Sequence, residues 1–375
     1  MTDSESRAAG LVVISANSGW NILNFRRPVI AALREAGWAV VVLAPADEAS
    51  EEIRALGVQF VPIRVDSSGT SIARDARLLI GYRRSLKALR PDAFLGFTVK
   101  PNIYGSLAAA SLGIRTINNI SGLGTAFLRG GPLGWLVRRL YRLALRRSAR
   151  IFFQNPDDLK LFVAGRLARE EQAHLIPGSG IDLEHFRPSG TAKDRGGQFR
   201  FLFVGRLLRD KGLVEYARAA RLLRPAWPRV EFAILGFAGS DNRSAVPIDE
   251  VARWEAEGIV TYLGETGDVR PFIADADCVV LPSYREGLPR TLLEASAMAR
   301  PMVASDVPGC REIVRDGDTG FLCAAQSAES LAEAMQAMLR LSPEERAAMG
   351  ARARKKVERE FDQASVAQAY LRALQ

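Results

Sequence analysis

The chain has 375 residues, 48% of them hydrophobic and 25% charged, an ordinary globular balance with more length than one core usually holds. That composition excludes a disordered, collagenous or disulfide-stapled chain, and no apolar run reaches the roughly 20 residues that cross a bilayer. The formal net charge of +9 suits acidic partners: nucleic acid, anionic lipid or phosphorylated small molecules.

The opening stretch, Met1 to Gly10, is polar and lacks a basic segment followed by an apolar one, so no secretory leader is expected. Short β-branched runs then alternate with helical patterns. Leu11–Ser15, Ala39–Leu43, Phe60–Val65, Ala93–Phe97, Arg115–Asn119 and Arg150–Gln154 read as buried strands. After the Pro-, Gly- and charge-rich stretch Arg187–Gln198, which has the chemistry of a linker, a second series begins. It comprises Phe199–Val204, Arg229–Leu235, Ile259–Leu263, Cys278–Leu281, Met302–Ser305 and Phe321–Cys323. Ser327–Leu339, Pro343–Glu360 and Gln363–Leu374 read as closing helices. Continuous apolar strands alternating with helices predict an α/β chain with two doubly wound parallel sheets in tandem. The expected domains are residues 1–190 and 191–358, with 359–375 a helix packing back toward the first. The cysteines, Cys278, Cys310 and Cys323, form no C-x-x-C pair, which fits a reduced cytosolic protein without zinc.

In such sheets ligands sit beyond the carboxyl ends of the strands, so the strand-to-helix loops carry the search. Pro282–Glu294 (PSYREGLPRTLLE) runs from a strand, through Gly287, into a helix beginning near Pro289. Loop amides converging with the positive end of a helix form a diphosphate cradle, and Glu286 and Glu294 can each accept the two hydroxyls of a diol. On spacing alone a capped surface helix with a solvated glutamate is the better reading. A second loop, Gly205–Gly212, carries Arg206 as a forked donor and Lys211 as a point charge, a pair suited to pyrophosphate. A solvated basic loop is the alternative. Only seven of the 51 basic residues are lysine, which tilts Lys211 toward function. Polar residues also gather after the strands of the first half: Ala16–Arg26 with Gly19, Thr98–Asn102 with Lys100, and Asn118–Gly124 with Ser121 and Gly122. Turns favour such residues anyway.

Some matches are declined. Gly122-Leu-Gly124 lacks the third glycine of a dinucleotide fingerprint. Asp275-Ala-Asp277 resembles a metal-binding pair but lies at a helix end, where such residues cap, so no metal is expected. His174 and His185 fall outside every candidate loop. Gly134–Phe152 intersperses Trp135 and leucines with Arg138, Arg139, Arg142, Arg146, Arg147 and Arg150 and has no acidic residue. It reads as a basic amphipathic helix for an anionic membrane, against the plainer reading of snorkelling surface arginines. Nucleic acid is not expected, because no reader motif or stacking aromatics accompany the charge.

In order, Ile176–Asp182, Val204–Gly212, Tyr262–Gly264, Ala274–Ser283, the pair Glu286/Glu294, Val307–Val314 and Gly317–Leu322 resemble the family 4 glycosyltransferases of the GT-B fold. Asn24–Arg27 and Thr98–Tyr104 resemble a narrower group that extends undecaprenyl-diphosphate-linked sugars, including N-acetylgalactosaminyltransferases. The resemblance implies two Rossmann-like domains facing a central cleft and retaining transfer from a UDP-sugar to a polyprenyl-diphosphate-linked saccharide. It places the enzyme on the inner face of the cell membrane, with no cofactor beyond the co-substrate. It implies that Gly205, Arg206 and Lys211 hold the donor diphosphate, and that Glu286, Gly287 and Leu288 contact sugar and phosphate. Glu294 would hold the ribose, and Gly19 would admit the first loop to the phosphates. On the acceptor side stand Lys100, Asn102, Ser121 and Gly122; the histidine that many members carry there is missing, and its role is either absent or filled by an asparagine, a serine or Lys100. The competing expectations are a same-fold UDP-N-acetylglucosamine epimerase and a non-catalytic membrane scaffold.

Overall fold

The computed structural model describes residues 9–65, 71–123, 127, 131–188, 196–239, 242 and 244–375. The chain divides into two units, Met1–Ser179 with Gln363–Gln375, and Gly180–Asp362. The first is built on seven strands: β1 (Gly10–Ser15), β2 (Trp38–Ala44), β3 (Gln59–Pro62), β4 (Ala93–Phe97), β5 (Arg115–Ile120), β6 (Arg150–Phe153) and β7 (Ala173–Leu175). They are ordered β3-β2-β1-β4-β5-β6-β7 and every pair is parallel. The second unit orders β8 (Phe199–Val204), β9 (Val230–Leu235), β10 (Thr261–Tyr262), β11 (Cys278–Leu281), β12 (Met302–Ser305) and β13 (Gly320–Cys323) as β10-β9-β8-β11-β12-β13, again all parallel.

Both faces of these sheets are covered, which is why their strands are apolar without alternation. Val12, Val13 and Ile14 of β1 are all fully buried, as are Phe201, Leu202 and Phe203 of β8. Two edges depart from expectation. β7, an Ala-His-Leu edge strand, has no β-branched residue to announce it. β3 closes at Pro62, short of the expected Val65, because its partner β2 ends at Ala44, opposite Pro62.

The boundary lies before the expected 190/191, because Ile181 and Phe186 pack into the second unit's core and Ile181 N–H donates to Phe361 O at 2.9 Å. Residues 189–195 of the expected linker lie outside the described residues. Helix Pro343–Glu360 begins on a reciprocal cap: Ser342 accepts from Glu345 N–H, and Glu345 accepts from Ser342 N–H. Helix Gln363–Leu374 belongs to the first unit, where Tyr370 packs edge-on to Phe152 at 4.9 Å and its hydroxyl accepts from Asn119 at 2.7 Å.

Candidate active site

β8 and β11 are neighbours at the point where the second sheet's strand order reverses, the position at which doubly wound sheets open a crevice. Their following loops, Gly205–Gly212 and Pro282–Pro289, are fastened together. Gly212 has φ +74°, and a Cβ there would overlap the Pro282 carbonyl oxygen, so neither the backbone nor the space admits another residue. Tyr284 N–H donates to Asp210 O at 2.9 Å, and the Tyr284 hydroxyl donates to Glu215 Oε1 at 2.9 Å. Desolvation, reinforced by the Glu215 hydrogen bond, pushes that phenol up to about 12. Lys211 Nζ meets Glu286 Oε1 at 2.5 Å with the two side chains 24% and 12% exposed. Two residues singled out from separate segments thus form one ion pair.

Arg206 is exposed at the end of β8, next to Gly205, whose N–H donates to Leu235 O at 3.1 Å. Glu286 N–H donates to Pro308 O at 3.3 Å, which seats the second loop on the Val307–Gly309 turn. Gly287 is buried and Leu288 half-buried against the core. Pro289 is the N-cap, so the helix runs Arg290–Ala297, one residue later than expected. Glu294, one turn along, is 7% exposed and accepts from Arg290 Nε at 2.8 Å. Burial raises its carboxyl above the ordinary range, and the Arg290 charge opposes that rise.

The first unit treats its candidates differently. Gly19 opens helix Gly19–Phe25, and the Asp47 carboxylate fills the space where its side chain would stand and accepts from Trp20 N–H at 3.1 Å. The absence of a side chain at Gly19 thus makes room for Asp47. Lys100 Nζ pairs with Asp75 Oδ1 at 2.9 Å, each side chain 17% exposed, and the Tyr104 hydroxyl donates to the other Asp75 oxygen. Asn102 corrects the expectation. It is 1% exposed, donates to Asn119 O at 2.7 Å and accepts from Asn118 at 2.9 Å, so its amide is consumed in a buried network. Ser121 and Gly122 are half-buried just beyond β5, Gly122 with φ +154°; Gly124 lies outside the described residues. Asp277 and Asp275 both bind Arg200 at the start of β8, a structural duty. Among the described residues no group of three or more His, Cys, Asp or Glu side chains is placed to hold a metal ion.

Helix Pro132–Leu145 buries Tyr141, Ala144 and Leu145 and leaves Trp135 60% exposed beside exposed Leu136 and Leu143. Arg139 stacks on Trp135 and Arg138 on Phe127, each at 5.0 Å, while Arg142 donates to the carbonyls of Gly165 and Arg166 at 3.0 Å. These three arginines line a cavity of about 260 Å³; Arg142 and Arg146 line a second of about 350 Å³. No helix among the described residues is long and apolar enough to cross a membrane.

The family model described as glycosyl transferases group 1 matches residues 190–356, and that of the glycosyl transferase 4-like domain matches residues 25–178. The chain belongs to the GT-B glycosyltransferases. This glycosyltransferase is 27% identical to a Campylobacter jejuni protein named N,N'-diacetylbacillosaminyl-diphospho-undecaprenol alpha-1,3-N-acetylgalactosaminyltransferase, over 95% of the chain and 96% of that protein. It is 24% identical, over 71% of the chain and 70% of the relative, to an Escherichia coli UDP-Gal:alpha-D-GlcNAc-diphosphoundecaprenol alpha-1,3-galactosyltransferase. Its fold matches that of Anabaena HepE crystallised with UDP and glucose at a TM-score of 0.80, with 19% identity and coverage of 97% and 98% of the two chains.

Sequence reading of this glycosyltransferase missed the residues that join its loops. Tyr284 and Glu215 lie 69 positions apart, and neither belongs to a spacing that marks a ligand. Asp75, the partner of Lys100, is the one carboxylate of helix Ile72–Leu89, and a lone acid among its arginines reads as a surface residue until the fold sets it beside Lys100.

Proposed function

We propose that this glycosyltransferase moves a hexose or N-acetylhexosamine, with N-acetylgalactosamine the first choice, from a UDP-sugar to a polyprenyl-diphosphate-linked saccharide, with retention at the anomeric carbon. The observation that carries the donor side is the Lys211–Glu286 pair, assembled from two loops at the sheet's switch point. The substrate classes rest on the names of the Campylobacter and Escherichia relatives.

In this reading Arg206 and Lys211 neutralise the diphosphate and stabilise UDP as it leaves, the electrostatic contribution that usually dominates transfer of this kind. Glu286 accepts from donor-sugar hydroxyls, with Gly287 and Leu288 beside sugar and phosphate. Glu294 accepts from the ribose diol. The bond from the anomeric carbon to the phosphate oxygen breaks as the acceptor oxygen bonds to that carbon on the same face. The acceptor's proton passes to the departing phosphate oxygen, so no separate base is required. Lys100, Ser121 and Gly122 of the first unit are the acceptor-side candidates. Helix Pro132–Leu145, with Trp135, Arg138, Arg139, Arg142 and Arg146, meets the anionic inner surface of the membrane that carries the acceptor.

The test is nucleotide release from a panel of UDP-, GDP- and dTDP-sugars, with and without a lipid-diphosphate-linked sugar, beside Glu286→Ala. UDP release that requires the acceptor and vanishes in the variant supports the reading; NMR of the product's anomeric centre reports retention or inversion. Absence of release from every donor, with no thermal shift by UDP, overturns it.

A further inference from the structure

The Lys211–Glu286 pair is shared with the substrate in the donor-site reading above. As a diphosphate draws on the Lys211 charge, Glu286 loses its strongest local restraint, and what keeps it aimed at the sugar lies elsewhere in the loop. Among the remaining tethers are two backbone hydrogen bonds, Tyr284 N–H to Asp210 O and Glu286 N–H to Pro308 O. Another is a side-chain bond: the Tyr284 hydroxyl, two residues before Glu286, donates to Glu215 Oε1 at 2.9 Å. Glu215 stands on helix Leu213–Leu223, directly after Lys211 and Gly212, and is 8% exposed. Its second oxygen, Oε2, is buried with no hydrogen-bond partner among the described residues. A loop that needed only anchoring is held more cheaply by an apolar contact or a fully satisfied amide. A buried carboxylate with one oxygen idle is retained where a charge-assisted bond of fixed direction matters.

We infer that Glu215 and Tyr284 are positioning residues for Glu286, setting recognition of the donor sugar and not affinity for the nucleotide. The inference rests on the donor-site reading, and the experiment separates their failures. The Kd of UDP and the Kd and kcat/KM of the turned-over UDP-sugar are measured on the full chain for wild type, Tyr284→Phe, Glu215→Leu, Glu215→Gln and the double variant Tyr284→Phe/Glu215→Leu. Tyr284→Phe and Glu215→Leu each leave the UDP Kd within about twofold and lower kcat/KM for the UDP-sugar about tenfold, the effect of one hydrogen bond to a charged group. The double variant falls no further than either single one, because both remove the same bond. Glu215→Gln keeps an acceptor oxygen for the phenol and stays near wild type. Where a single variant fails to fold, the double variant, which removes the stranded carboxylate together with its partner, carries the same comparison. Equal losses for UDP and UDP-sugar, or an additive double variant, overturn the inference alone. A wild type that binds neither UDP nor any UDP-sugar overturns the donor-site reading and this inference with it.

Discussion

Replacing Lys211 with alanine acts on stability and catalysis through different partners, so the two effects can be pulled apart. The lysine is 24% exposed and its partner Glu286 12%. Removing the ammonium strands a largely desolvated carboxylate. Breaking a fully buried pair costs about 3–5 kcal/mol and an exposed one at most about 1 kcal/mol, so this partly buried pair falls near 2 kcal/mol. For a unit of this size that lowers Tm by roughly 4–8 °C. Adding Glu286→Gln to Lys211→Ala neutralises the stranded charge and recovers most of the Tm. Catalysis behaves otherwise: losing one preorganised charge opposite the leaving diphosphate lowers kcat about 10²–10³-fold. The second substitution does not recover it, because in the donor-site reading the ammonium faces the diphosphate and Glu286 the donor sugar, so the double variant lacks both contacts. Thermal unfolding and acceptor-dependent UDP release, measured on wild type, Lys211→Ala and the double variant, make the comparison. A double variant that regains both Tm and turnover refutes the reasoning and leaves the pair a fold restraint only.

Glu294 gives a pH prediction. Burial raises its folded-state carboxyl above the unfolded value, so the folded state binds the extra proton between the two values. Stability therefore falls as pH rises through that window, and Glu294→Gln flattens this limb of a Tm-against-pH curve. In the donor-site reading, where Glu294 accepts from the ribose, UDP affinity runs the other way, weakening as acidification protonates it, at a higher pH than for an ordinary carboxylate; a titration of UDP Kd against pH shows the limb in wild type and not in the variant. Gly212→Ala is expected to destabilise by more than about 2 kcal/mol, combining a positive φ with overlap on Pro282, read by urea unfolding. Arg138→Ala/Arg139→Ala lowers binding to vesicles containing phosphatidylglycerol by about tenfold or more at low salt, at about 1 kcal/mol per arginine. Cosedimentation measures it, and turnover of a soluble acceptor analogue stays unchanged.

The architecture was legible because parallel strands covered on both faces write themselves as unbroken apolar runs; Val40–Leu43 and Phe201–Val204 admit little else. β7 was harder, since an edge strand of three residues leaves too short a pattern, and β10, read as Ile259–Leu263, pairs only over Thr261–Tyr262. Lys211 and Glu286 were readable one by one, each at the end of a strong strand. Their pairing was not, because it depends on β8 and β11 lying side by side although Gly205–Gly212 and Pro282–Pro289 are far apart in sequence. Asn102 misled for a physical reason: an asparagine after a strand suits a ligand and a buried amide network equally, and only the arrival of Asn118 and Asn119 beside it decides.

The first unit is discontinuous in the chain, and this bears on how it comes into being. During synthesis the segment up to Ser179 emerges first, yet it lacks Tyr370, which partners the buried Asn119 amide and fills the space against Phe97 and Phe152. The second unit is whole once Asp362 has left the ribosome. The early-made segment therefore completes its packing against Phe97 and Phe152 only when the last helix arrives, whereas the second unit has all its residues earlier. The last contacts of the amino-terminal unit are therefore made after the whole second unit has been synthesised, a departure from simple vectorial completion of one domain before the next.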